Sequence, residues 1–342
     1  MSLGIKIAVI GCGAWGENLI RNFSELGALA AIHDVDIEKA QKLSLKYNAP
    51  FLSLKQIWEN KDVLGVVVAT PPAQHAAVAE AALKSGKHVF VEKPIALKVK
   101  DALKLCELSE EFGCHLMVGH LLQYHPAFIK LKQIVCNGMI GKIQYIYSNR
   151  LNIGKFRIEE NALWSFAPHD ISMILSLVAD VPESIYATGA CYLNPHIEDV
   201  TTTYLSFNNG IYAHVFVSWL HPFKEQKLIV VGDKGMVVFD DGQTWDKKLE
   251  LFLHQVKWIN GIPSSTKVDG QYLLVEAKEP LKIECQHFLN CIKNCEEPRT
   301  NGYEGLRVLQ VLEAAERSLR TGVRTQIVEH NNHLWNKRIL VT

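Results

Sequence analysis

Gly11, Gly13 and Gly16 close the apolar run that begins at Ile5 in the segment IKIAVIGCGAWG, and Asp34 ends the next apolar run. Glycine in the first place permits a tight turn, and in the second it lets the backbone approach a pyrophosphate. In the third it lets the following helix pack closely on the strand, with its N-terminus toward the phosphates. A carboxylate ending the second strand accepts hydrogen bonds from ribose hydroxyls and repels a 2′-phosphate; Val35-Asp36 supplies no cation to offset that repulsion, so NAD is the expected cofactor rather than NADP. The expected cofactor-binding residues are Gly11, Cys12, Gly13, Ala14, Trp15, Gly16 and Asp34, with Thr70, Pro71, His75, Glu92 and Lys93 from later strand ends. A plain loop is the alternative for Thr70-Pro71-Pro72, and a core or capping role is an equal reading for His75, His125 and His221.

Hydride transfer to a nicotinamide ring requires an alcohol C–H held against the ring while the hydroxyl proton leaves to a base. Lys93 follows the buried-strand run HVFV, at the strand end where ligands bind in open α/β sheets, and partial desolvation there favours the neutral, proton-accepting amine. An exposed lysine paired with Glu92 is the other reading. Pro94 makes the bond from Lys93 one that could be cis, and the sequence leaves the isomer open. His169 follows Pro168 where a helix is expected to begin. A neutral imidazole there could bond the reacting hydroxyl or share its proton with Lys93; capping or core packing is the alternative.

These residues need a scaffold that alternates strands and helices. Short apolar runs at 5–10, 28–33, 63–69, 87–91 and 115–119 alternate with helical patterns at 14–26, 36–47, 73–85 and 98–112, the signature of a doubly wound parallel sheet of Rossmann type over residues 1–121. From 122 to 342 the texture is α+β, with an open, largely antiparallel sheet. A helix spans 126–136 and a strand 142–152; hairpins turn at Asn208-Asn209-Gly210 and Asp233-Lys234-Gly235, and amphipathic helices follow at 281–295 and 303–320. The second domain is expected to bind substrate and to oligomerise.

GCGAWG, Asp34, ATPPAQH at 69–75, VEKP at 91–94 and the C-terminal open sheet together resemble the glucose-fructose oxidoreductase, inositol dehydrogenase and rhizopine catabolism (Gfo/Idh/MocA) family over nearly the whole chain. The resemblance implies that Lys93 sits beside nicotinamide and substrate, that His169 contacts substrate, and that the protein is a homodimer or homotetramer. NIGKFR at 152–157, WSFAPHDIS at 164–172 and SWLHPFK at 218–224 are similar to the branch that oxidises nucleotide-linked amino sugars at C3, chemistry that serves lipopolysaccharide assembly. A sugar nucleotide's diphosphate needs local cations, for which Arg157, Lys155 and Lys224 are candidates, solvated surface charge being the other reading of the lysines. Trp164 and Trp219 either stack on a ring or pack in the core. Many relatives carry aspartates where Ser165 and Ser172 stand here, which leaves Asp170 as a candidate partner of His169 and as a substrate-binding residue.

The chain has 342 residues, enough for two domains, with 48% hydrophobic and 21% charged residues. Its 36 basic residues balance 36 acidic ones, leaving no global footprint for nucleic acid, and no apolar stretch is long enough to span a membrane. A cytoplasmic protein with a small-molecule substrate is the expectation. The eight cysteines form no CxxC pair, so reduced, buried thiols are expected. His287, Cys291 and Cys295 share a helix face but lack a fourth ligand, and no metal site is expected. A nicotinamide-binding regulatory protein without turnover is the alternative to an enzyme.

Overall fold

The computed structural model describes residues 4–154 and 156–327. It divides into two compact units, Met1–Tyr124 with Glu279–Leu309 and His125–Lys278 with Gln310–Thr342.

The first unit opens with β1 (Lys6–Ile10), α1 (Ala14–Glu25), β2 (Leu29–His33), α2 (Ile37–Tyr47) and α3 (Leu54–Glu59). It continues through β3 (Val63–Val68), α4 (Pro72–Lys84), β4 (His88–Val91), α5 (Val99–Glu111) and β5 (Leu116–Val118). The five strands pair in parallel in the order β2-β1-β3-β4-β5. Their interior residues are buried on both faces, which is why they read as continuous apolar runs. Helix ends follow local chemistry. Asp36 caps α2 by accepting from the Lys39 amide, Asn48 ends it in the left-handed region at φ 49°, and Gly86 and Gly113 take the same role after α4 and α5 at φ 70° and 62°. The short α3, unforeseen from periodicity, is fixed by a capping box between Ser53 and Gln56.

The second unit carries α6 (Pro126–Cys136), β6 (Ile143–Ile153), α7 (Ala162–Val178), β7 (Pro182–Ala190), β8 (Val200–Phe207), β9 (Tyr212–Ser218), β10 (Leu220–Gly232) and β11 (Met236–Asp240). Strands β12 (Leu249–Phe252), β13 (Gln255–Ile259), β14 (Ile262–Thr266) and β15 (Gln271–Tyr272) complete it. Eight strands form one sheet in the order β15-β12-β11-β10-β6-β9-β8-β7, and β13 and β14 make a separate hairpin. Of the pairings in the large sheet β6–β9 is parallel and the others are antiparallel. The two expected turns fall between β8 and β9 and between β10 and β11.

Helix α7 corrects the sequence expectation. It begins at Ala162, where the Asn161 side chain accepts from the Trp164 amide, so Pro168 and His169 lie inside the helix rather than at its start. An interior proline costs about 3 kcal/mol and takes away the helical donor of the carbonyl four residues back, here Trp164. Burial of Leu163, Ala167, Ile171, Met173 and Ile174 along the same helix outweighs that cost.

The chain then returns to the first unit through α8 (Pro280–Asn294), and α9 (Gly302–Thr321) begins there. Leu281, Cys285, Phe288, Leu289 and Ile292 of α8 join Ile7, Val9, Leu19, Phe23, Phe90 and Met117 in one core. A division at 121/122 separates these residues in sequence; the apolar stripe of α8, repeating at helical spacing, is what draws them together.

Candidate active site

In the first unit the glycine turn is tight where it packs and open where a ligand approaches. A Cβ on Gly11, whose φ is +106°, would lie 2.4 Å from the Ala69 carbonyl oxygen, and one on Gly16 would lie 2.0 Å from that of Gly11. A Cβ on Gly13 would meet nothing within 4 Å. Gly13 is also the N-cap of α1 and offers no side-chain acceptor to the helix's first amides, so Ala14, Trp15 and Gly16 open a helix whose N-terminus suits an anion. The Asp34 carboxylate is aimed by two backbone donors, the Cys12 amide to Oδ2 at 2.5 Å and the Asp36 amide to Oδ1 at 2.8 Å. Burial, with Asp34 beside it, pushes the Cys12 thiol up to about 12, so Cys12 contributes its amide and not a thiolate. The pyrophosphate turn, the ribose acceptor and the open approach at Gly13 fit a dinucleotide.

A further strand end, that of β4, is tied to this turn. The Trp15 indole Nε1 donates to Glu92 Oε1 at 2.5 Å, and the Lys93 amide donates to Glu92 Oε2 at 3.3 Å. Burial pushes the Glu92 carboxyl up to about 7, against the opposing pull of Trp15 and Lys93. Gly119, just past β5, makes room for it: a Cβ there would lie 2.9 Å from Glu92 Oε2. Lys93 is half-buried one residue farther along, and its bond to Pro94 is cis.

His75 corrects the expectation of a cofactor contact. Its ring is buried, with Nδ1 2.8 Å from the Pro94 carbonyl oxygen and Nε2 2.8 Å from that of Thr70. Backbone carbonyls occupy both nitrogens, so the ring holds the Thr70-Pro71 loop and not the cofactor.

Sequence reading missed one buried acid. Glu284, on α8, is fully buried and neither carboxyl oxygen has a hydrogen-bond partner. Burial raises its pKa well above the ordinary carboxyl value, and Glu92 and Glu304 raise it further, which favours the neutral acid. Glu304 itself lies 2.5 Å from the Nδ1 of buried His120. Its place on the apolar face of α8, beside Leu281, Cys285 and Phe288, is the one sequence signal that could have found Glu284.

The second unit holds the residues expected to meet substrate. His169 is half-buried on α7. Asp170 is almost fully buried and wholly taken by other partners. Arg150 Nε donates to its Oδ2 at 2.6 Å and Arg150 Nη2 to Oδ1 at 3.1 Å; Ser148 Oγ donates to Oδ1 at 2.6 Å. Successive helix residues point about 100° apart, so Asp170 turns to β6 and is neither partner to His169 nor a substrate ligand. Arg157 Nε donates to Ser165 Oγ at 3.2 Å and pairs with Glu160 at 3.0 Å, its side chain 42% exposed. Trp164 is half-buried and its Nε1 donates to Glu316 at 3.0 Å, while Trp219 is a core residue whose indole donates to Asp199 and whose ring meets Phe156 and Phe166 edge-on. Lys224 is exposed on β10, and Lys155 lies outside the described residues.

Three other histidines are accounted for. His125 caps α6, its Nδ1 accepting from the Ala127 amide and its Nε2 lying 3.3 Å from Asp241. His221 contacts the Phe223 carbonyl at 3.0 Å. His287 Nε2 accepts from the Arg299 amide at 3.0 Å and lies 3.4 Å from Cys291 Sγ, while Cys295 is the exposed C-cap of α8. Among the described residues no cluster of His, Cys, Asp and Glu is placed to hold a metal, and no helix is long and apolar enough to cross a membrane.

The family model described as an oxidoreductase family with an NAD-binding Rossmann fold matches residues 5–120, and the Gfo/Idh/MocA C-terminal domain model matches residues 128–238. The chain is similar to a UDP-N-acetylglucosamine 3-dehydrogenase from Acidithiobacillus ferrooxidans, 26% identical over 309 residues that cover 89% of this chain and 94% of that protein. It is also similar to an inositol 2-dehydrogenase/D-chiro-inositol 3-dehydrogenase from Halalkalibacterium halodurans, 25% identical over 335 residues covering 93% and 92% of the two chains. A solved structure of the Acidithiobacillus enzyme superposes with a TM-score of 0.82 at 24% identity, covering 92% of this chain and 97% of that one, and so shares its fold. The chain therefore belongs to the Gfo/Idh/MocA family and is an NAD-dependent oxidoreductase.

Proposed function

We propose that the protein oxidises the C3 hydroxyl of a UDP-linked N-acetylhexosamine to a 3-keto sugar nucleotide, a product suited to a separate aminotransferase. The observation that carries this reading is the likeness, over most of both chains, to a UDP-N-acetylglucosamine 3-dehydrogenase. NAD, when bound, supplies the hydride acceptor. Lys93, half-buried at the end of β4, takes the hydroxyl proton, and the Trp15–Glu92 bond fixes the residue next to it. Residues 1–121 provide the dinucleotide site. The second unit provides substrate recognition, in which His169 bonds the reacting hydroxyl, Trp164 packs on the sugar, and Arg157 and Lys224 meet the diphosphate.

Incubation with NAD⁺ and, separately, UDP-N-acetylglucosamine, free N-acetylglucosamine and myo-inositol tests the reading, with loss of deuterium from C3 or a coupled aminotransferase as readout. Turnover of the UDP-sugar alone is expected. Efficient turnover of a free polyol with none of the UDP-sugar overturns the substrate assignment, and cofactor binding with no turnover of any candidate favours a regulatory protein.

We also propose that the second unit self-associates into a homodimer or homotetramer in the cytoplasm. In support, Tyr186, Tyr204, His214, Tyr147 and Tyr145 form a continuous row of ring contacts across β7, β8, β9 and β6. Tyr145, Tyr186 and Tyr204 are exposed, and aromatic surfaces of this kind favour interfaces. Light scattering after size exclusion reads the state, and a monomer at micromolar concentration contradicts the proposal.

A further inference from the structure

We propose that His75 is a positioning residue that ties the loop of Thr70 and Pro71 to the loop of Lys93 and Pro94. Carbonyl oxygens stand 2.8 Å from both ring nitrogens, one from each loop. A neutral imidazole has a single N–H. In that state one contact is a hydrogen bond and the other sets a lone pair against a carbonyl oxygen; only the imidazolium, with two N–H groups, satisfies both. Each loop leads out of the C-terminal end of a neighbouring strand, β3 or β4, so the ring fixes the spacing of two strand ends that belong to the proposed site.

Burial holds the ring's pKa below the ordinary histidine value, and the two carbonyls oppose that effect.

NADH titration tests the positioning role: H75F should weaken binding by about tenfold, one net hydrogen bond's worth, and H75Q by less, because it keeps a donor. Unchanged NADH affinity in both variants overturns that role. If H75F fails to fold, H75Q decides: unchanged NADH affinity in it overturns the role. Full activity in K93M would sink Lys93 as the base while leaving the clamp to be judged on NADH affinity.

Discussion

The Trp15 indole donates to Glu92 across the strand-end surface of the first unit, joining the glycine turn to the residue before Lys93. A helix N-terminus that suits phosphate and a strand end that carries the proposed base are thereby held at one spacing.

Trp15→Phe removes that donor. Because Glu92 is raised to about 7 in the folded protein, the native state keeps a proton that the unfolded chain releases, and stability falls with rising pH until about 7. Without the indole the native carboxyl rises further and the fall continues to higher pH. Urea unfolding should therefore show a larger loss for the variant at pH 8.5 than at pH 6, the difference being on the order of 1 kcal/mol. Equal losses at the two pH values contradict the account.

Glu284→Gln should stabilise the protein. The buried carboxyl is raised well above its unfolded value, so between those two values the native state holds a proton the unfolded chain has lost, and stability declines as pH rises. The amide has no such proton to lose. Its advantage should grow with pH by up to about 1.4 kcal/mol per pH unit in that window. A variant less stable than wild type at every pH would mean that Glu284 is an ionised, paired carboxylate.

Lys93→Met should lower turnover by about 10²- to 10⁴-fold, the usual value of a general base, while NADH affinity changes little. Stopped turnover together with lost NADH binding would point to a cofactor role instead.

Asp34 should make NADH bind more tightly than NADPH by about tenfold or more, since two backbone amides aim its carboxylate and a 2′-phosphate would meet like charge. Fluorescence titration with both cofactors checks this, and Asp34→Ser should narrow the gap. Tighter NADPH binding in wild type would overturn the assignment.

The first unit's strands are legible because doubly buried strands leave unbroken apolar runs, and Asn48, Gly86 and Gly113 are residue types that suit the left-handed ends of its helices. The hairpin β13–β14 is not legible, since residues such as Ile262 and Thr266 are exposed without the alternation of a half-buried strand. The start of α7 is not legible, because Pro168 argues locally against a helix that packing sustains. At the site, the glycines and Asp34 carry their geometry in their residue types. The turning of Asp170 onto Arg150, the engagement of His75 by two carbonyls and the burial of Glu284 depend on partners distant in sequence, and no local pattern encodes them.

Helix α8 supplies Phe288, Leu289 and Ile292 to a core whose other side begins at Ile5 and Ile7. A ribosome adding about 5–20 residues each second delivers the first strand tens of seconds before that helix. During synthesis Leu19, Phe23 and Phe90 therefore wait for their last packing partners, and the first unit keeps apolar surface uncovered until α8 has emerged.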